Sequence, residues 1–171
     1  MSKLRQEYTS KDTSINTVSA IYKQIGFGMV STILDYGGGK YDTNAQYMQE
    51  KRKCTVLVYD PYNRTPEHNR NVLKYFTNNP AYFVVCSNVL NVIKEDEVII
   101  EALRHIYSLM NKNGFLYIKV YERDKSGIGC ATTKGWQRNQ KLNEYIPFIE
   151  NAFGKHCDIK RKGDILIVKK L

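Results

Sequence analysis

The chain has 171 residues, 42% of them hydrophobic, which is enough for one buried core and leaves no room for a second domain. Its 26 lysines and arginines outnumber 17 acidic residues, giving a formal charge of +9 that favours polyanionic partners. No run reaches the roughly 18 apolar residues of a membrane span, and the polar start Met1, Ser2, Lys3, Leu4, Arg5, Gln6 lacks a signal-peptide apolar region, so a cytoplasmic location is expected.

The polar residues 1–12 read as a flexible tail, and residues 13–171 as one domain. Over 15–25 the apolar residues Ile15, Val18, Ile21, Tyr22 and Ile25 recur at helical spacing, and Gly26 and Gly28 end the helix. Thr32, Ile33 and Leu34 form a short strand closed by Asp35, Tyr36, Gly37, Gly38, Gly39 and Lys40. A helix over 43–53, with Asp42 as its N-cap, leads to a second apolar run from Cys54 to Tyr59, closed by Asp60, Pro61 and Tyr62. A helix over 67–78 and a strand over 81–86 follow, the latter ending in Ser87, Asn88, Val89 and Leu90.

Residues 97–111 are the clearest amphipathic helix, stopped by Asn113 and Gly114 before a strand over 115–121. Alternation of helix and strand to this point predicts a parallel sheet with helices on both faces. Residues 122–135, with Gly127, Gly129 and Gly135, read as a long loop at the ligand-binding end of the sheet. Residues 137–153 read as helix interrupted by Pro147, and 156–160 with 164–169 as a terminal antiparallel hairpin around Gly163. Cys54, Cys86, Cys130 and Cys157 are far apart, and His68, His105 and His156 form no cluster, so reduced thiols and no metal site are expected.

The glycine turn carries the most chemistry. Glycine allows positive φ and lets a ligand approach the main chain without a Cβ in the way, which suits a nucleoside cofactor at a strand end. Asp60, 25 positions after Asp35, closes the next strand, where a carboxylate can accept both hydroxyls of a ribose. The turn is not the G-x-G-x-x-G of dinucleotide folds, nor a G-x-x-x-x-G-K-[ST] P-loop. Asp35 and Asp42 around it would repel a pyrophosphate and suit a ligand with an ammonium and a sulfonium.

Asp35, Gly37 and Gly39, then Asp60, then Ser87, Asn88, Val89 and Leu90 resemble, in order, three motifs of the class I S-adenosylmethionine-dependent methyltransferases. Asp60, Pro61 and Tyr62 together with residues 87–93 look more narrowly like methyltransferases associated with DNA phosphorothioation. The resemblance implies a Rossmann-like three-layer αβα fold, a mostly parallel sheet with a C-terminal antiparallel hairpin, and S-adenosyl-L-methionine as cofactor. It assigns cofactor binding to Asp35, Tyr36, Gly37, Gly38, Gly39, Asp60, Pro61, Ser87, Asn88 and Val89. One departure stands out: Asp60 and Tyr82 are only 22 positions apart, room for one helix. The family's third strand, with its adenine-side acid, is therefore missing, or the strand at 81–86 replaces it.

On the acceptor side, basic residues gather at Lys51, Arg52 and Lys53, over 119–141 and over 155–170, the middle group with Tyr121, Trp136 and Gln137 among them. Basic groups hold phosphates and an aromatic ring stacks on an unpaired base, so nucleic acid is the expected acceptor. Tyr121, Lys134, Trp136, Gln137 and Arg138 are the candidate substrate contacts, and Asn88 or Asn91 would orient an exocyclic amine. Val89 and Leu90 stand where amino-directed DNA methyltransferases carry two prolines, and there is no Pro-Cys pair for a covalent cytosine mechanism. Two other classes remain. One is a non-catalytic cofactor- or partner-binding protein of the same fold, such as a subunit of a nucleic-acid-modifying complex or a homo-oligomer. The other is a dinucleotide oxidoreductase, disfavoured by Asp35 and the missing third glycine.

Overall fold

Short β-rich runs bounded by acids and glycines become parallel strands. β1 (Thr32–Tyr36) pairs in register with β2 (Thr55–Tyr59) on one side and with β3 (Ala81–Ser87) on the other. β3 pairs in parallel with β4 (Met110–Lys119), and β4 pairs antiparallel with β8 (Ile165–Lys170), which is joined by a hairpin to β7 (Cys157–Lys162). The order β2-β1-β3-β4-β8-β7 is the expected mostly parallel sheet with an antiparallel end. The computed structural model describes residues 6–9, 11, 13–28 and 31–171; the other residues of the expected tail, 1–5, 10 and 12, lie outside it.

The central strands β1, β3, β4 and β8 bury residues on both faces. Leu34, Val84, Leu116 and Val168 pack under α3 (Pro66–Asn78), α4 (Asp96–Leu109) and α5 (Ile146–Phe153). Ile33, Val56, Val58 and Val85 pack under Met48 of α2 (Thr43–Arg52) and under Ile21 and Tyr22 of α1 (Ala20–Gln24). Full burial of each such side chain is worth about 1.5–3 kcal/mol. α3 starts cleanly because Thr65 accepts the His68 amide at 3.2 Å and Pro66 occupies the first turn.

α3 carries the chain from β2 over β1 to β3, so among the described residues no counterpart of the third strand is present and β2 is the sheet edge. His68 Nε2 donates to the Val58 carbonyl on that edge strand at 2.7 Å.

Three expected elements differ. The helix over 15–25 shrinks to Ala20–Gln24, because polar side chains before it bond across to the next elements. Asn16 Oδ1 accepts from Thr43 Oγ1, the Ser19 amide donates to Asn44 Oδ1, and the Lys40 amide donates to Ser14 Oγ. The helix stop at Asn113 and Gly114 is instead an irregular stretch inside β4, where the pairing register with β3 shifts. The loop over 122–135 contains part of a small hairpin, β5 (Cys130–Thr132) and β6 (Gly135–Gln137), so Gln137 starts no helix. Helix resumes as a 3₁₀ turn, Leu142–Tyr145, leading into α5 with Pro147 in its first turn, where a missing amide costs nothing.

The segment after that hairpin is locked to the turn between β3 and α4. Arg138 is buried, donates to the Ile93 and Lys94 carbonyls at 3.1 and 2.8 Å, and pairs with Asp96 at 2.5 Å. Arg138→Ala leaves those groups unpaired and is expected to cost about 2–4 kcal/mol in urea unfolding, whereas exposed Lys134→Ala should cost under about 0.5 kcal/mol. Equal effects would contradict this structural role.

Candidate functional site

β1 ends where the chain needs glycine twice. Gly37 has φ +78°, and a Cβ there would lie 2.5 Å from the Val89 side chain; a Cβ on Gly38 would lie 2.6 Å from the Asp35 carboxyl carbon. The Gly37 amide donates to the Tyr59 carbonyl at 2.7 Å, fastening this turn to β2. Asp35 sits beneath it, 2% exposed, with Asn44 Nδ2 at 3.4 Å. Burial raises the Asp35 carboxyl to about 6 against the lowering influence of Tyr22 and Asn44 beside it, and the Asp60 charge adds to the rise.

Asp60 is equally buried and fully engaged. Its Oδ1 accepts the Tyr62 and Asn63 amides, each at 2.9 Å, and its Oδ2 accepts the Gly39 amide at 2.9 Å and Asn63 Nδ2 at 3.1 Å. Those four donors fill the carboxylate's acceptor positions. Asp60 is thus a turn acid that ties the two strand ends together. Asn63 Oδ1 is buried without a partner among the described residues.

Two cavities open at this end of the sheet. One, of about 270 Å³, is floored by Asp35, the three glycines, Asn44, Asp60 and Asn63, walled by Ser87, Asn88, Val89 and Lys119, and covered by residues from Thr13 to Ala20. Ser19 Oγ meets Ser87 Oγ across it at 3.1 Å. The other, of about 620 Å³, lies between Tyr36, Tyr59, Pro61 and Tyr62 on one side and Val89, Val92, Ile93 and α4 on the other. They share Gly37, Asp60 and Val89, so together they form one cleft. All ten residues expected at the cofactor line it.

The acceptor-side expectations fare differently. Asn88 lines the first cavity in a left-handed conformation, φ +58°, its amide held by the Lys119 carbonyl. Asn91 does not: it is 2% exposed, with Nδ2 on Gln137 Oε1 at 3.1 Å, and its carbonyl accepts the Arg138 amide. Gln137 also donates to the Tyr121 carbonyl. Asn91, Gln137 and Arg138 are therefore buried cross-ties, bonded to one another, to backbone carbonyls and, for Arg138, to Asp96 and Gln140. Trp136 stacks obliquely on Tyr8 at 5.4 Å beneath the Lys94 ammonium, while Tyr121 and Lys134 stay exposed. None of the five expected substrate contacts lines either cavity.

Sequence reading missed Asn44, Asn63, Lys119 and the α4 residues Glu101, Ala102 and His105. For Asn44 and Asn63 a signal existed, since each lies a few residues past an acid-closed strand. Nothing local marks α4, whose spacing reads only as core. Lys119 forms an ion pair with Asp164 of the distant hairpin turn.

Two substitutions test this geometry. Gly37→Ala meets both a positive φ and Val89, and should lower thermal stability and close the cleft, while Gly154→Ala, with no neighbour within 4 Å of its Cβ, reports the backbone strain alone. For Asp35, the native carboxyl holds its proton up to about 6 and the unfolded one only to its ordinary value. Its contribution is therefore full at low pH and is lost as pH rises through about 6. Asp35→Asn lacks that loss, so its stability relative to wild type should rise by about 2 kcal/mol between pH 4.5 and 7.5 in urea titrations; a flat difference would refute the shifted carboxyl.

Comparison with known proteins agrees with this architecture. A methyltransferase-domain family model matches residues 10–165. No protein of curated function matches the chain. Among solved structures, human N-acetylserotonin methyltransferase in complex with SAM is 16% identical, with a TM-score of 0.59 over 88% of this chain and 50% of that one. A SAM-dependent methyltransferase from Methanosarcina mazei is 9% identical, with a TM-score of 0.60 over 89% of this chain and 97% of that one. A complex between the Haloferax volcanii Trm112 methyltransferase activator and a methyltransferase matches at 11% identity and a TM-score of 0.55, over 88% and 87%. The chain spans about half the length of the human enzyme and of several others it resembles. With the family model covering nearly the whole chain, and the sheet order and glycine turn in place, the chain belongs to the methyltransferase-domain family and has the class I S-adenosylmethionine-dependent methyltransferase fold.

Proposed function

We propose that the chain binds S-adenosylmethionine in the two-part cleft and transfers its methyl group to nucleic acid. The observation that carries the cofactor is the acid-flanked glycine turn opening onto both cavities. Two buried acids in the floor suit an ammonium and a ribose and oppose a pyrophosphate, and the unpartnered Asn63 Oδ1 offers an acceptor to a sugar hydroxyl. When bound, the cofactor supplies an electrophilic methyl carbon on a sulfonium.

The chain's own part is alignment of an acceptor for in-line displacement. Asp35, ionised above about pH 6, faces the ammonium, and Asp60 with Asn63 takes the ribose. Ser87 and Asn88 stand at the cavity wall where an acceptor would enter, and the left-handed backbone at Asn88 fixes its direction. The net charge of +9 and exposed Tyr121, just past β4 at the same end of the sheet, support a nucleic-acid acceptor.

A second reading is a cofactor-binding protein that works only with a partner. The complete internal bonding of Asp60 favours it, as does the neighbour crystallised with an activator.

Calorimetric titration separates these. S-adenosylmethionine and S-adenosylhomocysteine should bind saturably and NAD should not. Asp60→Asn should weaken both by about tenfold or more, and binding should weaken from pH 7.5 to 5.5 as Asp35 takes its proton. Methyl incorporation into DNA or RNA by the chain alone supports the first reading; cofactor binding without incorporation supports the second. Absence of binding to either adenosyl ligand would sink both.

A further inference from the structure

The base of an adenosine donates hydrogen bonds through its 6-amino group alone, so a site that selects adenine needs an acceptor there. Among the described residues the sheet ends at β2, and no strand beyond it brings one. α4 forms the facing wall of the second cavity instead, with Glu101, Arg104 and His105 as its charged and polar members. Two of the three are engaged. His105 Nδ1 and the Tyr36 hydroxyl share a hydrogen bond of 2.9 Å, and Arg104 donates to Asn151 Oδ1 of α5 at 3.0 Å. The Glu101 carboxylate makes no hydrogen bond or ion pair among the described residues.

Other acceptors at this end are scarce. Gln6, which also lines the cavity, takes the Tyr62 hydroxyl hydrogen on its Oε1 at 2.9 Å, and its amide nitrogen can only donate. Residues 1–5 before it include no aspartate or glutamate. Glu101 and His105 are four positions apart and share one face of α4. α4 starts after the turn that follows β3, at the ligand end of the sheet, so Glu101 stands one turn nearer that end than His105. Burial pushes up the pKa of the Tyr36 hydroxyl, and the charges of Tyr59, Cys86, Glu101 and Asp60 push it further, so both acids lie within electrostatic reach of one ring. The two cavities join at Gly37, Asp60 and Val89. A nucleoside with its ribose at that junction sends its base into the second cavity, the 6-amino edge pointing away from Asp60.

We infer that Glu101 of α4 reads the 6-amino group of the cofactor's purine, playing from a helix the part that a strand-borne acid beyond β2 would play. This rests on the reading of the cleft as an adenosyl-cofactor site. A carboxylate takes an amine hydrogen in a charge-assisted bond and gains nothing from a purine that lacks the amine. Its effect is therefore on the choice of base more than on the fold, because Glu101 is exposed on the free protein's helix.

The test is calorimetry of the full chain with S-adenosylhomocysteine and with the analogue that carries hydrogen in place of its 6-amino group. Wild type should prefer the parent by about tenfold or more. Glu101→Ala should bring the two ligands within about threefold by weakening the parent alone, while Glu97→Ala, one turn earlier on α4 and outside the cavity, should keep the wild-type preference. A wild type that binds both ligands alike overturns the inference and leaves the proposed cofactor intact. So does a preference that survives Glu101→Ala, one that Glu97→Ala abolishes equally, or an equal loss of both ligands in Glu101→Ala. Binding of neither ligand to wild type removes the cofactor reading and this inference together.

Discussion

The Asp60 carboxylate takes the Gly39 amide from the end of β1 and the Tyr62 and Asn63 amides from the end of β2, so one buried charge holds two turns in register. Parallel strands alone do not specify how their carboxyl ends are arranged, because each connects onward to a separate helix. The Gly37 amide adds a second tie, to the Tyr59 carbonyl. Together these bonds fix the two turns that border the space beside the Asn88–Val89 corner. The same bonding makes Asp60 costly to alter, because the carboxylate that borders the cleft also maintains its shape.

A second acid beside the first raises the stakes. Asp35 is buried under Gly38 without a cationic partner in contact, and its proton affinity rises accordingly. A buried carboxyl in that state is a cost to the free protein that a cationic ligand relieves. The cleft thus sacrifices stability where it would hold a charge, as sites for charged ligands commonly do.

Loss of the third strand has effects beyond a narrower sheet. β2 becomes an edge, blunted by His68 on its Val58 carbonyl, and α3 crosses directly to β3. α4 then faces the turn after β2 across the second cavity, and the Tyr36–His105 bond links the glycine turn to that helix. On the opposite rim, Arg138, Gln137 and Asn91 weld the segment after the β5–β6 hairpin to the β3–α4 turn. Residues 6–9 reach the same rim, where Glu7 pairs with Lys94 and Tyr8 lies on Trp136.

The sequence by itself determined the parallel strands, the glycine turn, the two acids and the lack of room for more than one helix between Asp60 and Tyr82, because these depend on local rules: apolar runs, positive-φ glycine and the length of chain between those residues. It also marked ten residues that line the cleft, since each lies next to a strand end in the chain. Only the tertiary structure decided which polar residues face the cleft and which are cross-ties. Asn88 and Asn91 are three positions apart and alike in chemistry, yet one borders the cavity and the other is sealed against Gln137. Arg138 reads as a candidate substrate contact in a basic segment and is buried because the carbonyls that receive it belong to residues more than forty positions earlier. Glu101 and His105 lie in an amphipathic helix that carries no local mark of a site, and they line the cleft where, among the described residues, the sheet ends at β2. Such assignments rest on contacts between distant segments, which no local pattern encodes.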